Sequence, residues 1–216
     1  MKPTSVLIAD DHKILRQGLR AILEQREDIE VIAEAGNGRE AVELCKRLNP
    51  DVVVLDVAMP EMSGILATGA ILKDNRNTKV LILSTYLNET YIAETLKMGA
   101  SGYVLKECAA DELLGAIKLV NRGEIYLSPR ASTMVVRKFI RREGAREKTV
   151  FDILSPREQQ ILQYIAEGKS TNKMAEILFL SPRTVDNHRA SIMRKLDLHD
   201  IPSLVKFAVR SGISEL

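Results

Sequence analysis

Acidic residues stand at the ends of two strongly apolar segments in the first half of the chain. Val52–Leu55 runs directly into Asp56. Ser5–Ala9 runs directly into Asp10 and Asp11. Burying an isolated carboxylate beside such segments is unfavourable unless a partner offsets the loss of hydration. These positions therefore indicate a site at which a cation or a reaction compensates for that loss.

Polar groups also follow two later apolar segments. Ser84 and Thr85 come directly after Lys79–Leu83, and Lys106 comes directly after Gly102–Leu105. In open parallel α/β sheets, ligands bind beyond the carboxyl ends of the strands, so side chains that follow separate strands meet at one edge. We therefore predict that three carboxylates, a hydroxyl group and an ammonium group converge there.

The chemistry of this set indicates phosphoryl transfer. Asp10, Asp11 and Asp56 repel one another unless a hard divalent cation joins them, and Mg²⁺ suits oxygen ligands. Lys106 and Ser84 supply a cation and a hydrogen-bond donor for an anionic phosphoryl group. Asp56, central among the acids, can act as the nucleophile and form an aspartyl phosphate. The alternative is that each aspartate only caps a helix or forms a turn.

Alternating strands and helices position these groups. Uninterrupted apolar strands with helices between them imply a parallel sheet covered on both faces, an α/β fold. The G-N-G sequence at 36–38 lacks the full dinucleotide fingerprint, and we interpret it as a tight turn. The five expected strand and helix pairs are Ser5–Ala9 with Ile14–Gln25, Glu30–Ala33 with Arg39–Leu48, Val52–Leu55 with Ile65–Leu72, Lys79–Leu83 with Thr90–Lys97, and Gly102–Leu105 with Asp111–Val120.

The first half of the chain resembles the receiver domain of bacterial two-component response regulators. The resemblance spans 5–120 and implies a flavodoxin-like (βα)5 fold with the parallel strand order 2-1-3-4-5. It is carried by the segments VLIADDH (6–12), VVVLDVAMPEMSG (52–64), LILST (81–85) and GASGYVLK (99–106).

The resemblance implies roles for individual residues. A sensor histidine kinase is expected to phosphorylate Asp56, and Ser84 and Lys106 are expected to hold the phosphoryl oxygens. Tyr103 matches the aromatic switch position three residues before the lysine, and Ser84 takes part in the same switch. The chain is not expected to be an enzyme beyond its own phosphoryl transfer and slow dephosphorylation.

The same resemblance implies the ligands of the metal. Mg²⁺ is expected on the carboxylates of Asp11 and Asp56 and on the carbonyl oxygen of Ala58. Asp10 is expected to assist through water. Pro60 and Gly64 match the family pattern of the loop that follows the phosphorylated residue.

The charge of the chain divides unevenly along its length. Residues 1–120 carry 14 Lys and Arg against 18 Asp and Glu, whereas residues 121–216 carry 17 against 11. A basic half joined to an acidic half indicates that the basic half faces a polyanion. We divide the chain into a domain at 1–120, a linker at 121–150 with a short helix from about Arg130 to Arg142, and an all-α domain at 151–216.

The basic half contains signals for a helix-turn-helix. Ser155-Pro156 and Ser181-Pro182 each place an N-cap serine before a proline at the first helical position. Ser170 opens a helix over Thr171–Leu178, and the next helix spans Pro182–Leu196. With a last helix near Ile201–Arg210, these make a four-helix module.

One face of the Pro182–Leu196 helix suits the major groove of DNA. Val185, Ile192 and Leu196 share the core face, and the opposite face carries short or hydrogen-bonding side chains. Lys169, Lys195 and the amide groups that begin the Ser170 helix are suited to phosphates. The candidate contacts are Lys169, Ser170, Thr171, Arg183, Thr184, Asn187, His188, Ala190, Arg194 and Lys195, with His188 interpreted as half-buried support more than as a base contact.

The segment 154–196 resembles the LuxR-type DNA-binding module, and the match extends over roughly 151–214. Both halves together resemble a NarL/FixJ-type response regulator, which implies binding to double-stranded promoter DNA. Asp186 departs from the lysine that many members carry, so the operator cannot be inferred from relatives. The last helix is more apolar than a four-helix core requires. The family uses this helix as a homodimer contact, and simple closure of the core explains its apolar residues equally well.

The composition limits the compartment and the class of partner. The chain has no apolar run of membrane-spanning length, and no signal peptide precedes the first strand, so we expect a cytoplasmic protein with no membrane partner. Cys45 and Cys108 are too few for a disulfide scaffold and are expected to be reduced core thiols.

Two other functions fit parts of the sequence. A Mg²⁺-dependent aspartyl-phosphate phosphohydrolase shares the acids and the lysine, but no substrate-covering cap domain is visible and the basic module has no role in it. A phosphorylation switch whose second module binds protein instead of DNA is the other alternative.

Overall fold

The chain folds as two compact units, Met1–Gly144 and Ala145–Leu216. The computed structural model describes residues 2–108, 110–141, 153–211 and 213. The first unit is a helix-covered sheet and the second is helical, as predicted.

The described part of the first unit contains one parallel sheet of six strands. Their order across the sheet is β2-β1-β3-β4-β5-β6, so the predicted order 2-1-3-4-5 is confirmed and one strand is added. The strands are β1 (Thr4–Ala9), β2 (Ile29–Ala35), β3 (Val52–Leu55), β4 (Lys79–Ser84), β5 (Gly102–Leu105) and β6 (Tyr126–Leu127).

Helices join the strands of the first unit. Buried residues of β1, β3 and β4 pack with residues of the first and fifth helices and form one core. The central strands contribute to it because they are buried on both faces. The helices are α1 (Lys13–Leu23), α2 (Gly38–Leu48), α3 (Gly64–Asp74), α4 (Glu89–Lys97), α5 (Ala110–Asn121) and α6 (Pro129–Arg141).

The sixth strand was not predicted from the sequence, whereas the helix that follows it was. β6 pairs with β5, and α6 packs against α4, so this part of the expected linker is built into the first unit. The helix itself was predicted, although its expected last residue, Arg142, lies outside the described residues, as does the exposed linker expected up to 150. A strand of two residues is too short to show an alternating pattern, and it forms only because β5 lies beside it in the fold. The sequence therefore gives no signal for it.

The G-N-G sequence forms a helix start and not a nucleotide loop. Asn37 is the N-cap of α2, and its side-chain oxygen accepts a hydrogen bond from the N–H of Glu40 at 2.8 Å. Gly38 follows, and a Cβ there would lie 2.1 Å from the carbonyl oxygen of Met62. The glycine is therefore required because another loop passes directly over it.

The two cysteines occupy different environments. Cys45 is a free, buried thiol of α2, as expected, and burial raises its pKa to about 12. Cys108 is also free but is only half-buried, in the turn after β5, so the expectation of a core thiol is wrong for it.

Helix caps confirm three predicted helix starts in the second unit. Ser155, Ser170 and Ser181 each accept a hydrogen bond from a backbone N–H in the first turn of the following helix. The core of the unit includes Ile161, Leu162 and Ile192. Its described helices are α7 (Pro156–Ala166), α8 (Thr171–Leu178), α9 (Pro182–Leu196) and α10 (Ile201–Ser211).

Two residues with positive φ give a matched test of backbone strain in the second unit. Phe179 (φ 53°) ends α8 with its ring 92% exposed, and Gly168 has φ 71° with open space at its Cβ position. We predict that Phe179→Gly raises the free energy of unfolding by about 1 kcal/mol, because glycine relieves the left-handed conformation and no burial is lost. Gly168→Ala should lower it by a similar amount. Urea unfolding measures both, and equal signs for the two variants would contradict the argument.

Candidate functional site

The carboxyl edge of the sheet brings the predicted acids and the lysine together. Asp10 follows β1, Asp56 follows β3, and both carboxylates are buried. The ammonium nitrogen of Lys106, which follows β5, lies 2.6 Å from Oδ2 of Asp10 and 2.6 Å from Oδ2 of Asp56. The parallel strand order makes this possible because all three strands end at one edge.

The charge of Lys106 is held in place by the two acids. Burial alone would lower the pKa of Lys106, but the charges and hydrogen bonds of Asp56 and Asp10 outweigh it and raise the pKa above the ordinary value. An ammonium group between two buried carboxylates balances most of their repulsion.

The same edge fits a hard metal ion. Ligand atoms of Asp10, Asp11, His12 and Asp56 all lie within 4.8 Å of one another. Oδ2 of Asp10 is buried, and its partner is the Lys106 ammonium at 2.6 Å. The three clustered carboxylates offer the oxygen ligands that suit Mg²⁺. Ala58, whose carbonyl the resemblance implies as a ligand, lies half-buried in the loop two residues after Asp56.

Two residues at this edge were missed by the sequence analysis. Nδ1 of His12 lies 2.8 Å from Oδ1 of Asp11, and the backbone N–H of His12 donates to Oδ1 of Asp10 at 2.8 Å. The guanidinium of Arg16 donates to the carbonyl oxygen of Asp10. The position of His12 directly after two acids was the available signal, whereas no sequence signal marks Arg16, which lies in α1 six residues after Asp10.

Ser84 and Tyr103 are linked through the loop that follows β4. The hydroxyl of Ser84 accepts a hydrogen bond from the N–H of Tyr86 at 3.1 Å, and the hydroxyl of Tyr103 donates to the carbonyl oxygen of Tyr86 at 2.7 Å. Burial raises the pKa of Tyr103, and a hydrogen bond with Ser84 opposes that rise. The N–H of Lys106 donates to the carbonyl oxygen of Ser84 at 2.8 Å, which places the serine beside the lysine.

The loop after Asp56 requires a glycine. A Cβ at Gly64 would lie 2.0 Å from the carbonyl oxygen of Asp56, and the Gly64 N–H donates to the carbonyl oxygen of Val57 at 2.8 Å. The start of α3 therefore packs against the backbone of Asp56 and fixes the position of its Cα atom.

An apolar groove opens beside the acids. It has a volume of about 520 Å³. The side chain of Ile14, in the first turn of α1, is 86% exposed there. Residues that line the groove include His12, Ile14, Leu15, Gly18, Thr85 and Lys106.

In the second unit, most of the candidate DNA contacts are accessible on or beside α8 and α9. Seven of them are exposed and three are half-buried, including His188, which fits its expected supporting position. The exposed ones are Lys169, Ser170, Arg183, Asn187, Ala190, Arg194 and Lys195, and the half-buried ones are Thr171, Thr184 and His188. Asp186 pairs with Arg189 at 3.1 Å on the same helix.

Lys195 differs from the other candidates because a buried acid holds it. The ammonium of Lys195 donates to Oε2 of Glu158 at 2.7 Å, and the hydroxyl of Ser191 donates to Oε1 at 2.8 Å. The backbone N–H of Ser155 also donates to this carboxylate, which completes a capping box at the start of α7. Burial alone would raise the pKa of Glu158, but these donors lower it to about 2.

Family models match both units. The model for the response regulator receiver domain matches residues 6–118, and the model for the luxR family of bacterial regulatory proteins matches residues 152–208. The oxygen regulatory protein NreC of Staphylococcus carnosus is 39% identical over 212 residues, covering 96% of this chain and 98% of the relative. The NreC of Staphylococcus haemolyticus is 40% identical, with the same coverage.

Solved structures of full length are also similar. The RcsB response regulator of Salmonella typhimurium has a TM-score of 0.66 at 26% identity and covers 100% of both chains. An RcsB–DNA complex has a TM-score of 0.60 at 25% identity, covering 97% of this chain and 99% of that chain. The response regulator ChrA of a heme-sensing two-component system has a TM-score of 0.54 at 33% identity, covering 99% and 100%.

None of the described helices combines the length and the apolar character that crossing a membrane requires.

The low pKa of Glu158 predicts an acid-sensitive contact in the second unit. Because the folded pKa is about 2 and the ordinary value is 4.5, the stabilisation is complete above about pH 4.5 and is lost as the pH falls through about 2. The shift corresponds to roughly 3 kcal/mol. We expect the difference in unfolding free energy between wild type and Glu158→Gln to shrink from pH 6 to pH 2.5, measured by urea unfolding and amide exchange of α7 and α9. A constant difference across that range would contradict the assignment.

Proposed function

The chain belongs to the response regulators that join a receiver domain to a LuxR-type DNA-binding domain, and from that membership we propose that Asp56 is its phosphoacceptor. The protein is a DNA-binding transcription regulator of a two-component system. The luxR-family match gives the basic module a DNA-binding role, which disfavours the protein-binding alternative and the phosphohydrolase.

One contact carries the proposal: the Lys106 ammonium lies 2.6 Å from the buried carboxylate of Asp56 at the carboxyl edge of the sheet. A carboxylate oxygen of Asp56 attacks the phosphorus of a phosphohistidine. The new O–P bond forms as the P–N bond breaks, and the electron pair leaves with the imidazole, which takes up a proton. Lys106 remains charged throughout and moves from the carboxylate to a phosphoryl oxygen.

We assign the metal site to Asp10, Asp11, Asp56 and the carbonyl oxygen of Ala58. When bound, Mg²⁺ neutralises charge on the phosphoryl group and the acids. His12 orients the carboxylate of Asp11 through the 2.8 Å contact of its ring nitrogen. The ligand atoms of the three aspartates lie within 4.8 Å of one another, which supports this assignment.

The switch is proposed to run through the loop after β4. Phosphorylation draws the hydroxyl of Ser84 toward the new phosphoryl oxygens and weakens its hydrogen bond with the N–H of Tyr86. Because the Tyr103 hydroxyl is bonded to the carbonyl of the same Tyr86, the packing of Tyr103 changes with the loop. A bias of about 1–3 kcal/mol is enough for regulation. It acts by releasing the DNA-binding domain or by promoting a homodimer.

The partners follow from the two surfaces. A sensor histidine kinase presents its phosphohistidine at the acid pocket and packs against the apolar groove of α1. The DNA-binding domain inserts α9 into the major groove of promoter DNA, with Arg183, Asn187 and Arg194 among the contacts, and a homodimer reads two half-sites. We place the protein in the cytoplasm and propose 1–120 as its phosphorylated domain and 151–216 as its DNA-binding domain, with β6 and α6 of the connecting segment 121–150 packed onto the first unit.

Replacing Asp56 tests the phosphoacceptor directly. Asp56→Asn keeps the size of the side chain but removes the nucleophilic carboxylate, so incorporation of phosphate from acetyl phosphate with Mg²⁺ should be abolished. Asp74→Asn, on the exposed end of α3, should be labelled like the wild type. Labelling of Asp56→Asn at the wild-type rate would place the phosphoryl group on another residue.

Replacing Ile14 tests the kinase surface separately from the chemistry. Ile14→Asp puts a charge into the groove, so transfer from an autophosphorylated histidine kinase that labels the wild type should slow by about tenfold or more. Labelling by acetyl phosphate should not change, because the small donor needs no docking surface. Ile125→Asp is the control, since Ile125 is 73% exposed in the connection after α5. Equal slowing with both donors would show that Ile14 supports the pocket and not the docking.

A further inference from the structure

We propose that Glu158 is a positioning residue for DNA recognition: it holds Lys195 and Ser191 so that α9 presents one fixed face, and it keeps the charge of Lys195 away from phosphates. This inference rests on the proposed binding of DNA by the exposed face of α9. It goes further by assigning specificity to a residue of α7 that does not contact the nucleic acid.

The contacts of Glu158 exceed what its helix requires. A capping box needs only one bond between the carboxylate and the N-cap N–H, here that of Ser155 at 2.8 Å. The side chain of Glu158 is nevertheless only 5% exposed, and both of its oxygens also accept hydrogen bonds from α9. A buried carboxylate with three donors from two helices is a rigid link between those helices.

The link grips α9 at the border of its DNA-facing surface. Ser191 and Lys195 are four residues apart and therefore lie one above the other on the helix. At roughly 100° per residue, this pair lies between the core face of Ile192 and the exposed face of Asn187 and Arg194. A rotation of about 20° around the helix axis moves an atom about 6 Å from that axis by about 2 Å, more than a hydrogen bond to a base tolerates.

The ion pair also removes one positive charge from the surface that faces DNA. Lysines that neutralise phosphates release counterions and steepen the dependence of binding on salt, by about 0.9 for each contact. The charge of Lys195 is already neutralised by Glu158 at 2.7 Å, so Lys195 adds little to non-specific DNA binding. The pair therefore favours specific over non-specific binding.

The experiment measures DNA affinity against KCl concentration for the full-length protein. The probes are a random-sequence 30-base-pair duplex and a duplex that the wild type selects from a random pool. The variants are Glu158→Gln, Lys195→Met, the double variant with both changes, Ser191→Ala and, as a phosphate-contact control, Arg194→Gln.

We expect the salt slope of Glu158→Gln to steepen by about 0.9, because Lys195 is freed, and the ratio of specific to random affinity to fall about tenfold. Ser191→Ala should lower the ratio without changing the slope. The double variant should keep the wild-type slope and the lowered ratio; it tests the proposal even if a single variant fails to fold, because it leaves no unpaired buried charge. Arg194→Gln should flatten the slope by about 0.9.

Three results would overturn the inference, and the last of them also overturns the proposed DNA-binding surface. If Lys195→Met flattens the slope as Arg194→Gln does, or if the double variant keeps the wild-type affinity ratio, then Lys195 is an ordinary phosphate contact and Glu158 only caps α7. If the wild type binds neither duplex, the proposed DNA-binding surface fails, and the inference fails with it.

Discussion

The structure depends most on the ammonium of Lys106 between the carboxylates of Asp10 and Asp56. Two buried acids this close destabilise the fold unless a cation lies between them, and Lys106, which follows β5, supplies it. β3 lies next to β1 and β5 lies beyond β4, so the lysine side chain extends past the end of β4 to reach the acids. The same geometry that stabilises the two acids places a cation where we propose that the phosphoryl group binds.

The sixth strand changes the surroundings of the switch. Without β6, β5 would be an edge strand with unpaired backbone groups. Instead, the N–H of Ser128 donates to the carbonyl oxygen of Tyr103 at 2.9 Å, and Gly102 allows β6 to approach closely. The backbone of Tyr103 is therefore held by strands on both sides, so the switch that we propose acts through its side chain and through the loop that contains Tyr86. The helix after β6, α6, packs against α4, which begins shortly after this loop.

Both units place a lysine against a buried acid for different purposes. In the first, acids from two strands hold one lysine that is available for an incoming anion. In the second, one acid holds one lysine that is withdrawn from an incoming anion. The difference lies in the partners: in the first unit two carboxylates share one lysine beside a third acid, whereas in the second the carboxylate of Glu158 accepts bonds from Ser155, Ser191 and Lys195. A cluster of acids can accept a cation, and a carboxylate with several donors fixes a shape.

The sequence by itself determined the alternation of strands and helices, the helix starts at Ser155, Ser170 and Ser181, and the meeting of Asp10, Asp56 and Lys106, because apolar runs, caps and the parallel-sheet rule are local or topological signals. The strand order was predicted only from the resemblance to receiver domains. The sequence did not determine β6, the approach of Arg16 to Asp10, or the capture of Lys195 by Glu158. No periodic pattern marks these contacts, and two of them, β5 with β6 and Glu158 with Lys195, join residues more than 20 positions apart. Only the packed tertiary structure decides them, because burial selects which of several accessible partners a charged side chain keeps.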